Sequence, residues 1–288
     1  MTGATDIHVH VQKWEEMRPA VRDFLRGAGE GALERAIAFA GDPGLLLAEM
    51  DRCGIRRVGL VNDVSPEVTG FTEATNRFAA DYAARDSSRL LPIGGVHARR
   101  LRDPAGAVRD LAAMGMVAIK IHPPHHGYPA NAYTEGLDAL AAVYRTAEDL
   151  GLPVMIHTGT SVIPGARCKY GRPMELDDVA VDFPDLPILM AHGGRPLWTE
   201  EAFFVLRRHR NVRLDLSGIP PRRIPEWFPR LPELGERVLW GSDWPGPGAT
   251  DLGAALDAFR GLPFPEEWKR GVTDTHSSAL FPEREGGE

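Results

Sequence analysis

Cysteine is nearly absent. The 288-residue chain holds only Cys53 and Cys168, too few and too far apart for a disulfide framework, and no zinc-ribbon spacing is present. That usage fits a reducing cytoplasm. No apolar run approaches the roughly 18 residues of a membrane span. The first strand begins within about five residues of Met1, with neither a charged n-region nor an apolar h-region, so no signal peptide is expected. Long basic runs are missing too: the largest clusters are Arg99, Arg100 and Arg102, and Arg207, Arg208 and Arg210. With 33 Lys and Arg against 40 Asp and Glu, the formal net charge is −7. Neither a nucleic-acid nor an anionic-membrane surface is expected. These absences point to a small-molecule partner and leave a homodimer open.

What is present is a repeated pattern. Apolar, strand-like runs recur at Asp6 to Val11, Arg57 to Val64, Leu91 to Ala98, Val117 to His122, Pro153 to His157, Pro187 to His192, Val212 to Ser217 and Arg237 to Asp243. Segments of helical period separate them, among them Gly44 to Cys53, Thr72 to Arg85, Pro104 to Met114, Thr134 to Leu150 and Trp198 to His209, with Asp251 to Phe259 after the last strand. Eight βα units in a chain of this length predict a (β/α)8 TIM barrel rather than an open doubly wound sheet, which more often stops at about five to seven strands. Residues 1–282 read as one domain, with a compositionally loose tail at 283–288. The stretch Gln12 to Asp42, with Trp14, Pro19, four glycines and a short helix near Leu33 to Phe39, reads as an elaborated first βα loop. Loops on that face of a barrel shape substrate pockets.

Four of these runs end in a metal-ligand residue: Ile7-His8-Val9-His10, Val154-Met155-Ile156-His157, Ile188 to His192, and Val238 to Asp243. An apolar run that stops at His or Asp before Gly, Pro or Ser is the C-terminal tip of a buried parallel strand, where barrel enzymes keep their chemistry. Strand alternation puts His8 and His10 on one side and Ile7 and Val9 on the other. A lone His-X-His is a weak signal, and its plain reading is a half-exposed strand. It gains weight because His157, His192 and Asp243 would converge on the same mouth. Imidazole and carboxylate suit zinc first, with manganese or iron as alternatives. Such an ion can bring a water's pKa to about 7. Asp243 then ligates through one oxygen and holds or deprotonates the water through the other, while His192 serves as electrophile or proton donor.

At these residues the chain resembles the amidohydrolase superfamily, specifically the amidohydrolase-related group that includes aminocarboxymuconate semialdehyde decarboxylase. The resemblance rests on Asp-Ile-His-Val-His at the start, Ile-Lys-Ile-His-Pro in strand 4, Leu-Pro-Val-Met-Ile-His-Thr-Gly in strand 5, Met-Ala-His-Gly-Gly in strand 6 and Trp-Gly-Ser-Asp-Trp-Pro in strand 8. It implies a distorted (β/α)8 barrel with one divalent metal held by His8, His10, His157 and Asp243, and His192 as a nearby catalytic group. The group contains both hydrolases and nonoxidative decarboxylases. One departure stands out: relatives commonly carry an Asn before a small-residue, Leu-Phe close, where this chain has Thr275-His276-Ser277-Ser278-Ala279-Leu280-Phe281.

Lys120 shares its side of strand 4 with His122. In binuclear superfamily members a strand-4 lysine is carbamylated and bridges two metals; the alternative is an ion pair to a carboxylate below the metal, such as Asp215. His122 is expected at the mouth, near substrate. Arg195, three residues after His192, is expected to clamp a substrate carboxylate, or else to pair with Glu200 or Glu201. Cations of the loop Gly165 to Arg172 are expected near the mouth, where Trp14, Tyr128, Tyr170, Trp198 and Trp244 could stack a planar substrate or simply pack the rim. The expected function is metal-dependent hydrolysis of a small, carboxylate-bearing substrate. The alternatives are nonoxidative decarboxylation of an unsaturated or aromatic acid and, more remotely, a non-catalytic metal-binding barrel.

Overall fold

The computed structural model describes residues 3–28, 31–246, 249 and 251–282, and the expected loose tail lies outside them. Eight parallel strands, β1 (Ala4–Val9), β2 (Ile55–Val61), β3 (Leu90–Gly95), β4 (Ala118–Ile121), β5 (Val154–His157), β6 (Ile188–Ala191), β7 (Val212–Asp215) and β8 (Val238–Leu239), lie side by side in sequence order. The barrel closes between β8 and β1 through backbone bonds from Ile7 N to Trp240 O (3.1 Å), Asp243 N to His8 O (2.9 Å) and His10 N to Trp244 O (2.7 Å). The fold is a TIM barrel, as the βα alternation predicts.

Helices α1 (Pro19–Ala28), α2 (Ala32–Gly41) and α3 (Pro43–Cys53) fill the first connection, and α4 (Ala74–Ala83), α5 (Pro104–Ala113), α6 (Pro123–His126), α7 (Asp138–Asp149), α8 (Glu175–Asp182), α9 (Thr199–Arg208), α10 (Ile224–Trp227) and α11 (Leu252–Arg260) follow. Their starts are written locally. Asp42 and Asp103 each precede a proline at the first helical position, and their carboxylates accept from Gly44 N and Gly106 N, both at 2.8 Å. Such a cap contributes about 1 kcal/mol by satisfying an amide the helix leaves unpaired.

Two apolar layers result. One lies between strands and helices; the other fills the barrel lumen with Ile7, Val61, Ile93, Met155, Leu189 and Leu239, among others. Ile7 corrects the simple alternation expected for the first strand. Asp6 pairs with Val58 but Val9 with Leu60, so β1 carries one residue more than β2 over this stretch. The bulge places Ile7 in the lumen layer while Val9 remains in the outer one, and it re-aims the following His8. In the closing segment Thr275 to Phe281, His276 Nδ1 lies 2.9 Å from Val238 O of β8. Beyond it Phe281 is buried in the lumen layer, and its carbonyl accepts from the buried Arg57 of β2 at 2.6 Å. The closing segment therefore stoppers the barrel.

Candidate active site

Strand ends deliver the expected side chains to one cavity of about 390 Å³, lined by His8, His10, His122, His157, His192, Arg195 and Asp243. Burial is severe there. It holds the imidazoles of His8, His157 and His192 well below the ordinary histidine range, so they are neutral. A neutral imidazole offers a lone pair, and hydrogen bonds decide on which nitrogen.

For His8 that decision is clear. Its Nδ1 lies 2.6 Å from Asp215 Oδ2, which fixes the proton on Nδ1 and leaves Nε2 as a buried acceptor without a hydrogen-bond partner among the described residues. His10 Nδ1 lies 3.1 Å from Val61 O, so its Nε2 faces Asp243 Oδ1 at 3.2 Å. The donor atoms of His8, His10 and Asp243 all lie within 4.8 Å of one another. Two unprotonated nitrogens around one carboxylate oxygen, with a carboxylate behind the first imidazole, fit a divalent metal. His157 is not in this tight group. Its ring lies 4.5 Å from that of His192, which is 5.0 Å from that of His8, and its buried Nε2 also lacks a partner among the described residues.

Ser217, which the sequence did not single out, ties the floor together. Its Oγ lies 2.9 Å from both Asp215 Oδ2 and His8 Nδ1 and 3.1 Å from His192 Nδ1, whose stronger partner is Ser217 O at 2.8 Å. The carbonyl can only accept, so His192 carries its proton on Nδ1 and keeps Nε2 free of it. Burial lifts Asp215 to about 6, opposed by Ser217 and Lys120. Burial would likewise raise Asp243, but the facing His10 and the charge of Arg195 hold it well below the usual carboxylate range.

His192 and Asp243 share a rarer feature. Both have left-handed backbones, φ 70° and 66°, the only two described non-glycine residues that do. Such conformations are unfavourable for most side chains and persist where surrounding structure dictates them. Gly218, at φ 63°, is needed for the same neighbourhood. A Cβ there would stand 2.6 Å from Asp243 Oδ2 and closer still to Arg195.

Arg195 points into the site. Its Nε donates to Gly218 O, its Nη1 to Thr160 O at 3.4 Å and its Nη2 to Asp243 Oδ2 at 3.4 Å. Glu201, one of its expected alternative partners, pairs instead with Arg172. Lys120 departs from expectation. Its Nζ is buried with no hydrogen-bond partner among the described residues and does not pair with Asp215, whose oxygens are taken by His8 and Ser217. Burial lowers that ammonium to about 8, against the pull of Asp215, Asp243 and Asp63.

Trp244 corrects another expectation. At 1% exposure it packs on Phe39, ring centroids 5.2 Å apart, and does not reach the cavity wall that Asp243 and Pro245 line. Aromatic surface comes instead from Trp14, Phe71 and Trp227; the last two were not anticipated. The cations Arg167, Lys169 and Arg172 do not line the cavity either. His122 does, stacked between His125 (3.4 Å) and His157 (3.8 Å). His209 is a helix-end residue paired with Asp177 at 2.6 Å. Asp63, beyond β2, also faces the cavity. Its run Val61-Asn62-Asp63 ends apolar-then-acid as strand 8 does, a signal present in the sequence.

A profile of the amidohydrolase family matches residues 5–275. No curated protein matches the chain. Among solved structures, an uncharacterized TIM-barrel protein from Bordetella bronchiseptica is similar at 20% identity and a TM-score of 0.77, covering 97% of this chain and 98% of that one. A probable 2-pyrone-4,6-dicarboxylic acid hydrolase from Acinetobacter baumannii, with citric acid bound, is similar at 17% identity and a TM-score of 0.66, covering 98% and 99%. So is 5-carboxyvanillate decarboxylase from Novosphingobium aromaticivorans, complexed with manganese and 4-hydroxy-3-methoxy-5-nitrobenzoic acid, at 17% identity and a TM-score of 0.64, covering 96% and 95%. At such identities the structural likeness is one of fold, whereas the family profile spans all eight strands. The chain belongs to the amidohydrolase family.

Proposed function

We propose that the protein is a metal-dependent hydrolase of a small, carboxylate-bearing organic substrate. The observation that carries this reading is the triangle of His8, His10 and Asp243 donor atoms, with the His8 ring pinned by Asp215. His157, with its unpartnered Nε2, is the fourth ligand in this proposal. The chemistry a bound divalent ion supplies is Lewis acidity and a water whose pKa falls to about 7. Zinc suits the ligand set, and manganese or iron suits it as well.

The chain's own groups do the rest. His192, its Nδ1 committed to Ser217 O, has Nε2 available to accept a proton and hand it to a leaving group. A guanidinium has five N–H donors; three of Arg195 are engaged by Gly218, Thr160 and Asp243, leaving two for a substrate carboxylate. The fork geometry suits that partner better than a lysine would.

The apolar wall of Trp14, Phe71 and Trp227 favours one second reading, decarboxylation of an aromatic acid. Loading the protein with zinc or manganese and offering it lactones, amides and aromatic carboxylic acids separates the two. Hydrolysis predicts a new acid without carbon dioxide. Carbon dioxide released in step with product assigns decarboxylation, and turnover of the amides or aromatic acids that survives removal of the metal contradicts both.

A further inference from the structure

The cavity that holds the His8, His10 and Asp243 triangle also holds a second set of polar groups that the proposed hydrolysis does not use. Asp63 follows β2, His125 lies in the short helix α6 after β4, and Ser161 lies in the loop after β5. All three line the cavity. His125 Nδ1 lies 2.6 Å from Asp63 Oδ2, and His125 Nε2 lies 3.0 Å from Ser161 Oγ. The order carboxylate, imidazole, hydroxyl is that of the serine hydrolases, which is recognised by geometry and roles and not by sequence position. We propose that Asp63, His125 and Ser161 form a second catalytic centre, with Ser161 as a nucleophile toward carboxylic esters.

The hydrogen-bond roles agree with that assignment. Burial alone would raise Asp63, but its contacts with His125 hold it well below the usual carboxylate range, so it is ionised and accepts the Nδ1 proton. His125 Nε2 is thereby left as the acceptor for the Ser161 hydroxyl. Ser161 Oγ in turn accepts from Ile163 N at 3.3 Å, so its own proton is free for His125. Asp63 is held in place: Ser65 Oγ donates to Oδ2 at 2.6 Å and is itself 2.9 Å from Thr69 Oγ1. The His125 ring is fixed by stacking on His122 at 3.4 Å with planes 8° apart. His122 also carries a buried Nδ1 without a hydrogen-bond partner among the described residues. That close parallel stacking also argues against His122 and His125 sharing one metal ion, because the lone pairs of parallel rings do not converge on a point.

The reaction balances without any further reagent. His125 Nε2 takes the Ser161 proton as Oγ bonds to the ester carbonyl carbon; the bond from that carbon to the alkoxy oxygen breaks, and the alcohol leaves with the proton from His125. Water, deprotonated by His125 in turn, then cleaves the acyl-serine, yielding the carboxylic acid and restoring Ser161. Trp14, Met17, Phe71 and Ile163 line the same cavity, so an ester with an apolar acyl or aryl group is the substrate class.

The test is covalent labelling of the full chain with an alkyl fluorophosphonate, read by intact mass and peptide mapping, with and without a metal chelator. One phosphonyl group on Ser161, unaffected by chelator, is the expected result, with fluoride displaced. Ser161→Ala should carry no label, and His125→Gln should label at least about 10²-fold more slowly with an unchanged melting temperature. In Asp63→Asn, where the positioning carboxylate is lost, the pH profile of the labelling rate should move. A protein that stays unlabelled, a label on another residue, or a label on Ser161 whose rate is the same in His125→Gln overturns the proposal. None of these outcomes depends on metal-dependent turnover.

Discussion

Asp243→Asn will cost the protein its metal and its activity together, by on the order of 10²–10⁴-fold each. The carboxylate, 12% exposed, faces His10 Nε2 at 3.2 Å, His8 Nε2 at 3.5 Å and Arg195 Nη2 at 3.4 Å. An amide keeps the shape but surrenders the negative charge, stranding the Arg195 cation beside it. Removing one partner of a buried charge pair typically costs about 3–5 kcal/mol, which is that range of equilibrium constants. Asparagine is the right replacement because it tolerates the φ of 66° at this position, whereas alanine would add backbone strain. The melting temperature of the metal-free variant should fall below that of the metal-free parent because of the stranded Arg195 charge, not because of backbone strain. Metal content by elemental analysis and turnover on the same preparation check both halves. A variant that keeps its metal and loses only rate would move Asp243 from ligand to proton carrier.

His192→Asn should behave oppositely, keeping most of the metal while turnover falls by roughly 10² or more, the usual contribution of a positioned acid or base. Its Nδ1 is committed to Ser217 O, and its donor atoms do not cluster with those of His8, His10 and Asp243. Asparagine again suits the left-handed backbone, φ 70°, that His192 adopts. Metal analysis beside steady-state kinetics decides the matter: complete loss of metal would make His192 a ligand, and unchanged kcat would leave it without a role in proton transfer.

Much of the site is legible in the sequence because a parallel strand announces its own end. His8, His10, His157, His192 and Asp243 each close an apolar run, and a barrel geometry obliges such ends to share one face. Arg195 follows His192 closely enough to be carried into the same cavity. What cannot be read is whatever depends on contacts between loops distant in sequence. Trp244 sits beside Asp243 yet turns into the core, because Phe39 of α2 offers it an aromatic face. The run ending at Asp243 looks like a strand of seven residues, but regular pairing covers only Val238–Leu239, and single backbone bonds to β1 finish the closure. The bulge in β1 leaves no mark in residue type, so alternation misplaces Ile7. Helix α8 is only Glu175–Asp182, with Asp177, Asp178 and Asp182 diluting its helical period. Asp63, His125 and Ser161 lie on three separate segments, after β2, β4 and β5, and only the closed barrel brings their side chains within hydrogen-bond reach.

The central claim, that one divalent ion is held at the barrel mouth by His8, His10 and Asp243 with His157, is tested most directly by the metal stoichiometry of the parent and of the His8→Ala, His10→Ala double variant. Both proteins are saturated with zinc or manganese, freed of excess metal, and measured by elemental analysis alongside their thermal unfolding. The account predicts close to one equivalent per chain in the parent and essentially none in the double variant, which remains folded because the site caps the lumen core without forming it. Two tightly bound equivalents in the parent, or one equivalent retained without either histidine, would contradict it.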